Sequence, residues 1–234
     1  MNLVGASIGD KRWTSERKKI LTESRILPTQ LIVQAIKQCK APPKLLINAS
    51  AIGFYEPTNH MPRKALTESD PAGNGFLCQL FKTWEETALE AKNVTRVVVL
   101  RLGIVLGDGG FLKKVTPVFK LGLGVIFGNG QAPFCWIHST DLCRIVSFVI
   151  HEPTLSGPIN AVSPEASTSE LFFTQLAKKL KRPLFLRLPE WLVKWMFGEM
   201  SELLLMGQWV VPEKLTAHGF VFNYSLSKSA LRDS

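Results

Sequence analysis

Thr95-Arg96-Val97-Val98-Val99-Leu100-Arg101, running on into Leu102-Gly103-Ile104-Val105-Leu106-Gly107, is the stretch that decides the fold. Val97 to Leu100 is an unbroken apolar run, rich in β-branched residues and bounded by arginines. That is the pattern of a strand buried on both faces, as in a parallel sheet. Upstream, Gly75 to Ala91 reads as a helix with Phe76, Leu77, Leu80, Trp84, Ala88 and Leu89 inward. Before it, Lys44-Leu45-Leu46-Ile47-Asn48-Ala49-Ser50 reads as a second buried strand. Thr14 to Lys40 reads as a helix whose stripe is Ile20, Leu21, Leu27, Leu31, Ile32, Ala35 and Ile36, with Pro28 expected to kink or split it. Helix, strand, helix, strand, with crossovers long enough for parallel pairing, predicts an α/β doubly wound sheet.

Downstream, Gly103 to Gly130 is rich in glycine, with a short helix near Phe111–Leu121. Asp141 to His151 is a further helix, and Gly157 to Val162 a turn entering a strand. Ser167 to Leu180 is helical, with Ser167 or Thr168 as its cap. Leu184 to Pro189 reads as a strand leading into a helix from Glu190 to about Met206, and Phe220-Val221-Phe222 as a short strand before a last helix, Ser225–Leu231. A shift of composition near residue 165 divides the chain into residues 1–164 and a lobe, 165–234.

The chain has 234 residues, 46% hydrophobic and 20% charged, which suits one large globular unit. No apolar run has membrane-spanning length, no signal peptide is seen, and membrane partners are not expected. The four cysteines lack CxxC spacing, so reduced thiols and a cytoplasmic location are expected. No cluster has metal-ligand spacing and no Gly-x-Ser-x-Gly elbow is present, so neither a metal site nor a serine hydrolase is expected. The net charge of +9 is spread over helix faces, each basic group beside apolar residues. Without aromatic-interleaved basic patches it gives little support to nucleic-acid binding.

Gly5-Ala6-Ser7-Ile8-Gly9 resembles a phosphate-binding turn but has no strand long enough before it. Ser50 ends a parallel strand, where open α/β sheets bind ligands, or closes a turn there. Gly103 lets backbone approach a flat ligand. Trp136 and His138 stand just before a helix; His138 either touches substrate or satisfies the core, and Asp141 caps or pairs.

Taken in order, Asn2-Leu3-Val4-Gly5, Arg12-Trp13, Ser24-Arg25, Ala49-Ser50-Ala51-Ile52-Gly53-Phe54-Tyr55, Trp84-Glu85, Arg101 to Gly107, Phe119 to Gly124 and Trp136 to Leu142 resemble the "epimerase family protein" branch of the extended short-chain dehydrogenase/reductase superfamily. Gly198-Glu199-Met200 and Val211-Pro212-Glu213-Lys214-Leu215 resemble its small C-terminal domain of unknown function. The resemblance spans essentially the whole chain. It implies a Rossmann-type parallel sheet over residues 1–164, incomplete because the first strands and the glycine-rich turn are absent, and a substrate-side lobe over 165–234. Asn2–Gly5 would follow the fourth strand, so two βαβ-sized units, about 60 residues at roughly 30 each, are expected to be missing.

The resemblance also implies NADP or NAD as cofactor. Asn2, Leu3, Gly5, Ala49, Arg101, Gly103, Ile104 and Val105 would lie on the nicotinamide side. Hydride transfer on a small, nucleotide-linked substrate would be the chemistry, with Trp136 and His138 on the substrate. The superfamily uses Ser, Tyr and Lys, with the tyrosinate as acid/base. Ser50 matches the serine. The Tyr-x-x-x-Lys pair is due about 25 residues later, where Cys78-x-x-x-Lys82 has the spacing without the tyrosine. Tyr55 is the substitute acid/base, or a packing tyrosine with its hydroxyl in water. Asn48 and Glu56 depart from the branch pattern. These expectations describe a reductase- or epimerase-like protein, impaired in cofactor binding, a homo-oligomer among its assemblies. The alternative is an inactive remnant or binding module whose sheet another chain completes.

Overall fold

The computed structural model describes residues 1–165 and 167–232. At its centre is the strand read first, β2 (Arg96–Leu102), between β1 (Leu45–Ala51) and β6 (Gly157–Ala161), all parallel. Alternate side chains of β2 enter opposite layers. Val97 and Val99 pack with Leu46, Val33, Ile36 and Ala88, whereas Val98 and Leu100 pack with Ile47, Ile145, Val149 and Ile159. Burial on both faces explains the continuous apolar run. Each such side chain taken from water contributes roughly 1.5–3 kcal/mol.

The first layer is α1 (Ser15–Gln38) against α2 (Phe76–Leu89); the second is α4 (Ser139–His151). Thr14 caps α1 by accepting from Arg17 N–H. Pro28 does not split this helix. Leu21, Arg25, Thr29, Val33 and Ile36 make one buried face on both sides of it, so packing holds both halves. This face is not the apolar stripe the sequence suggests: Ile20, Leu27 and Leu31 are exposed. Thr29 is buried with its hydroxyl fully partnered, and Arg25 with both terminal guanidinium nitrogens bonded to carbonyls, Nη1 to Leu21 O and Nη2 to Ala6 O. Thr29 Oγ1 accepts from Trp84 Nε1 at 2.8 Å and from Asn2 Nδ2 at 2.9 Å, and donates to Arg25 O.

Asn2 lies on the outer edge of β1, its N–H donating to Ile47 O and its carbonyl accepting from Ala49 N–H. Beyond β2 come β3 (Ile104–Leu106), α3 (Gly110–Lys120), β4 (Val125–Phe127) and β5 (Trp136–His138). β3 pairs with β5. Next come α5 (Ser169–Lys179), capped by Thr168, and β7 (Leu186–Leu188), which pairs with β4. The expected helix from Glu190 to Met206 breaks in two. α6 (Glu190–Phe197) stops at Gly198, whose φ of +59° is left-handed, and a 3-10 turn leads into α7 (Glu202–Leu205). After α8 (Glu213–Ala217), Phe220–Phe222 forms no strand. Its surroundings use side chains instead: Arg144 donates to Val221 O, and Asp141 accepts from the N–H groups of Asn223 and Tyr224. α9 (Ser227–Arg232) ends the described chain.

Two bridges, Thr58 with Gly207 and Leu66 with Val210, fasten the irregular stretch after β1 to the segment that follows α7. Gly207 has no substitute there, because a Cβ would fall 1.9 Å from Pro133 O.

Candidate active site at the carboxyl ends of the strands

Ser50 on β1, Arg101 on β2 and Asn160 on β6 are register neighbours across the sheet. Arg101 grips Glu85 of α2 in a two-pronged pair, Nε to Oε1 at 2.9 Å and Nη2 to Oε2 at 2.8 Å, with both side chains almost wholly buried. The Ser50 hydroxyl donates to Glu85 Oε1 at 2.6 Å. Arg101 Nη1 donates to the Tyr55 hydroxyl at 2.7 Å, and that hydroxyl donates to Asn160 Oδ1 at 2.7 Å. The Asn160 N–H in turn donates to Glu68 Oε1. The guanidinium also lies 3.6 Å from the Phe54 ring centroid. Burial pushes the Tyr55 phenol up to about 12, partly offset by Arg101. Burial opposes the charge of Arg101, but Glu85 more than compensates and holds its pKa above the ordinary value.

The structure therefore joins Ser50 and Tyr55, but inside a closed network. Tyr55 is fully buried, so its hydroxyl is neither in water nor facing a cavity. Lys82 is exposed on α2, because that helix turns Leu77, Phe81 and Trp84 inward and leaves position 82 outside.

Above this network lies a cavity of about 300 Å³. Its floor is the backbone after two strands, Ala51–Gly53 and Leu102–Ile104. Its walls include Leu77, Phe81, Phe134 and Phe173, and Leu203, Met206, Gly207 and Gln208 close it from the other side. Gly103 lets the chain leaving β2 pass close to Cys135, just before β5, since a Cβ there would meet Cys135 O at 3.0 Å. Of the residues read as cofactor-binding, Gly103 and Ile104 line this cavity. Arg101 is taken by Glu85, and Ala49 is core. Asn2 donates through Nδ2 to Asn48 as well as to Thr29. Leu3 is exposed, Gly5 lies against Arg25, and Val105 packs toward the α4 layer.

Trp136 and His138 do not reach the cavity. Trp136 is buried, with its indole N–H donating to Glu165. His138 caps α4, its Nδ1 accepting from Thr140 N–H, and stacks on Tyr224 with ring centroids 3.9 Å apart. Strand-end position reveals the floor of the cavity in the sequence. Its roof, Glu202 to Gln208, has no local motif that places it there.

A profile of the NAD dependent epimerase/dehydratase family matches residues 1–161. The chain belongs to this family. A domain of unknown function, DUF1731, matches residues 188–234. An epimerase family protein of Mycobacterium leprae is 38% identical over 234 residues, covering 99% of this chain and 75% of that one. The human epimerase family protein SDR39U1, solved with NADPH, superposes with a TM-score of 0.93 at 32% identity, over 99% of this chain and 79% of that one. A nucleoside-diphosphate sugar epimerase from Corynebacterium glutamicum gives a TM-score of 0.76 at 28% identity, over 94% and 43%. The epimerase-family sheet is thus Rossmann-type, and its chemistry is that of NAD(P)-dependent, short-chain-dehydrogenase-like proteins.

Tested against this cavity, a nicotinamide cofactor fits at one end. The flat apolar slot outside the strand ends, floored by Gly53 and Gly103, suits a pyridine ring. Among the described residues, no strand–glycine turn–helix opens onto it to take a pyrophosphate.

Proposed function

We propose that this chain is an NAD(P)-dependent reductase- or epimerase-like protein whose small-molecule substrate brings a carbonyl or carbinol into the cavity roofed by Met206–Gln208. The observation that carries this reading is the position of the cavity, at the carboxyl ends of β1 and β2 with Gly103 and Ile104 in its wall. The cofactor, when bound, supplies or accepts the hydride. The chain's own residues do the rest: the strand-end backbone positions the flat ring, and Phe81, Phe134 and Phe173 exclude water.

Few lining groups are polar, chiefly Ser169, Glu202 and Gln208. A bare sugar would leave most of its hydroxyls without partners there. The reacting part of the substrate is therefore compact and largely apolar, and a nucleotide-linked tail would extend outside. Four free thiols, two of them exposed, suit a reducing compartment such as the cytoplasm.

Because the described residues provide only the nicotinamide end, this form should hold the dinucleotide weakly. Fluorescence titration with NADPH and NADH tests both points. Saturable binding weaker than micromolar is expected, and micromolar affinity would overturn the claim of weak binding. A second reading, a binding module completed by another chain, is favoured by one feature. Among the described residues, the outer edge of β1 carries only the Asn2 bridge, beside exposed Leu3 and Val4. No binding of either dinucleotide, with the chain found in a complex that covers this edge, would select it.

A further inference from the structure

We propose that Glu202, delivered by the C-terminal lobe, is the proton donor to a carbonyl oxygen in this cavity, in place of the absent tyrosine. The inference rests on reading the cavity as a reductase site.

Every other candidate is out of reach or engaged. Ser50 donates to Glu85, Tyr55 is enclosed by Arg101 and Asn160, and Lys82 is exposed on the far side of α2. Among the lining residues only Cys135 and Glu202 titrate. Burial pushes the Cys135 thiol to about 11, and its sulfur is directed at Val210 O. Glu202 is left as the one carboxyl group in an apolar wall.

Its position is as telling as its chemistry. The two Glu202 oxygens lie 3.8 and 3.9 Å from where a Cβ on Gly75 would be, with Cys78 Sγ also at 3.9 Å. Gly75 is the N-cap of α2, and Cys78 is the position to which the Tyr-x-x-x-Lys spacing assigns the tyrosine. The lobe thus brings a carboxyl group to the place where the helix itself lacks a hydroxyl. Among the described residues this carboxyl group has no hydrogen-bond or ion-pair partner. Lys18, whose charge acts on Glu202, pairs with Glu199 instead.

The groups facing Glu202 are Glu56, Glu199, Lys18 and the Cys78 thiol. Burial, then Glu56 and Glu199, raise its pKa above the ordinary carboxylate value, against a smaller opposite effect of Lys18. Glu202 also borders a neighbouring cavity of about 320 Å³ lined by Trp13, Phe76, Glu190 and Lys194. As the carbonyl carbon takes up a hydride, with its electron pair, from a reduced nicotinamide, the Glu202 proton passes to the oxygen and an alcohol forms. The carboxylate left behind recovers its proton from water through the neighbouring cavity.

The test needs no cofactor. Acetophenone labelled with 13C at the carbonyl is bound to the 234-residue chain, and its carbonyl resonance is followed with pH beside the 13C-labelled glutamate carboxyls. A downfield shift is expected at low pH that is lost with the same midpoint as the Glu202 carboxyl. Glu202→Met should abolish the shift. Glu202→Gln, which keeps the shape, should leave a shift that no longer depends on pH. No binding of the ketone, a pH-independent shift in the unaltered chain, or a shift that persists in Glu202→Met would each overturn the proposal. NADPH titration of the same sample separates the two readings. A titrating shift without dinucleotide binding keeps the proton donor and sinks the reductase reading; dinucleotide binding without the shift does the reverse.

Discussion

Two sets of polar side chains lie close together at the carboxyl ends of β1 and β2, and they are built in opposite ways. Beneath the cavity, Ser50, Glu85, Arg101, Tyr55 and Asn160 saturate one another with hydrogen bonds of 2.6–2.9 Å. In the cavity wall, Glu202 has no hydrogen-bond or ion-pair partner among the described residues, and its neighbours in that wall are mostly apolar. The saturated set holds three strands and a helix in register; the unsaturated group retains its capacity to act on a ligand. Serine, tyrosine and arginine at strand ends are thus no guide to catalysis until their partners are known.

The comparison breaks most sharply at the ion pair. Glu85→Ala strands the Arg101 guanidinium in the core and should cost about 3–5 kcal/mol in urea unfolding. A loss below 1 kcal/mol on the same measurement would mean that the network is open to water. Tyr55→Phe removes one hydroxyl and leaves Arg101 Nη1 and Asn160 Oδ1 short of a partner, so about 1–3 kcal/mol should be lost. NADPH affinity should stay unchanged, because Tyr55 does not line the cavity.

The smallest effect has the opposite sign. Glu202 has a raised pKa in the folded chain, so folding favours its protonated form. Below the ordinary carboxylate pKa both states carry the proton and there is no penalty; as pH rises through the raised folded value, the native state alone bears the cost of the buried charge. Glu202→Gln should therefore stabilise at neutral pH, by less than about 1 kcal/mol after solvent screening. The gain should vanish in acid. Thermal melts of the two proteins across pH read it directly.

Most of the fold was legible because burial on both faces writes itself into sequence: Val97–Leu100 and Leu45–Ile47 admit few other readings. The buried face of the first helix was not legible, since Arg25 and Thr29 are core only through partners such as Ala6 O and Trp84. Pro28 does not split the helix, because packing on both sides of it outweighs the local rule. The site was half legible. Gly103 and Ile104 follow from strand-end position, but Glu202 arrives from a segment about 150 residues beyond β1, past a glycine that breaks the expected helix. No periodicity carries information over that span.

The bridges from Thr58 to Gly207 and from Leu66 to Val210 have a consequence for how the chain is made. The loop after β1 leaves the ribosome well before its docking surface is translated. Until residues 207–211 clear the exit tunnel, that loop has nothing to close against, and the apolar slot beside it stays wet.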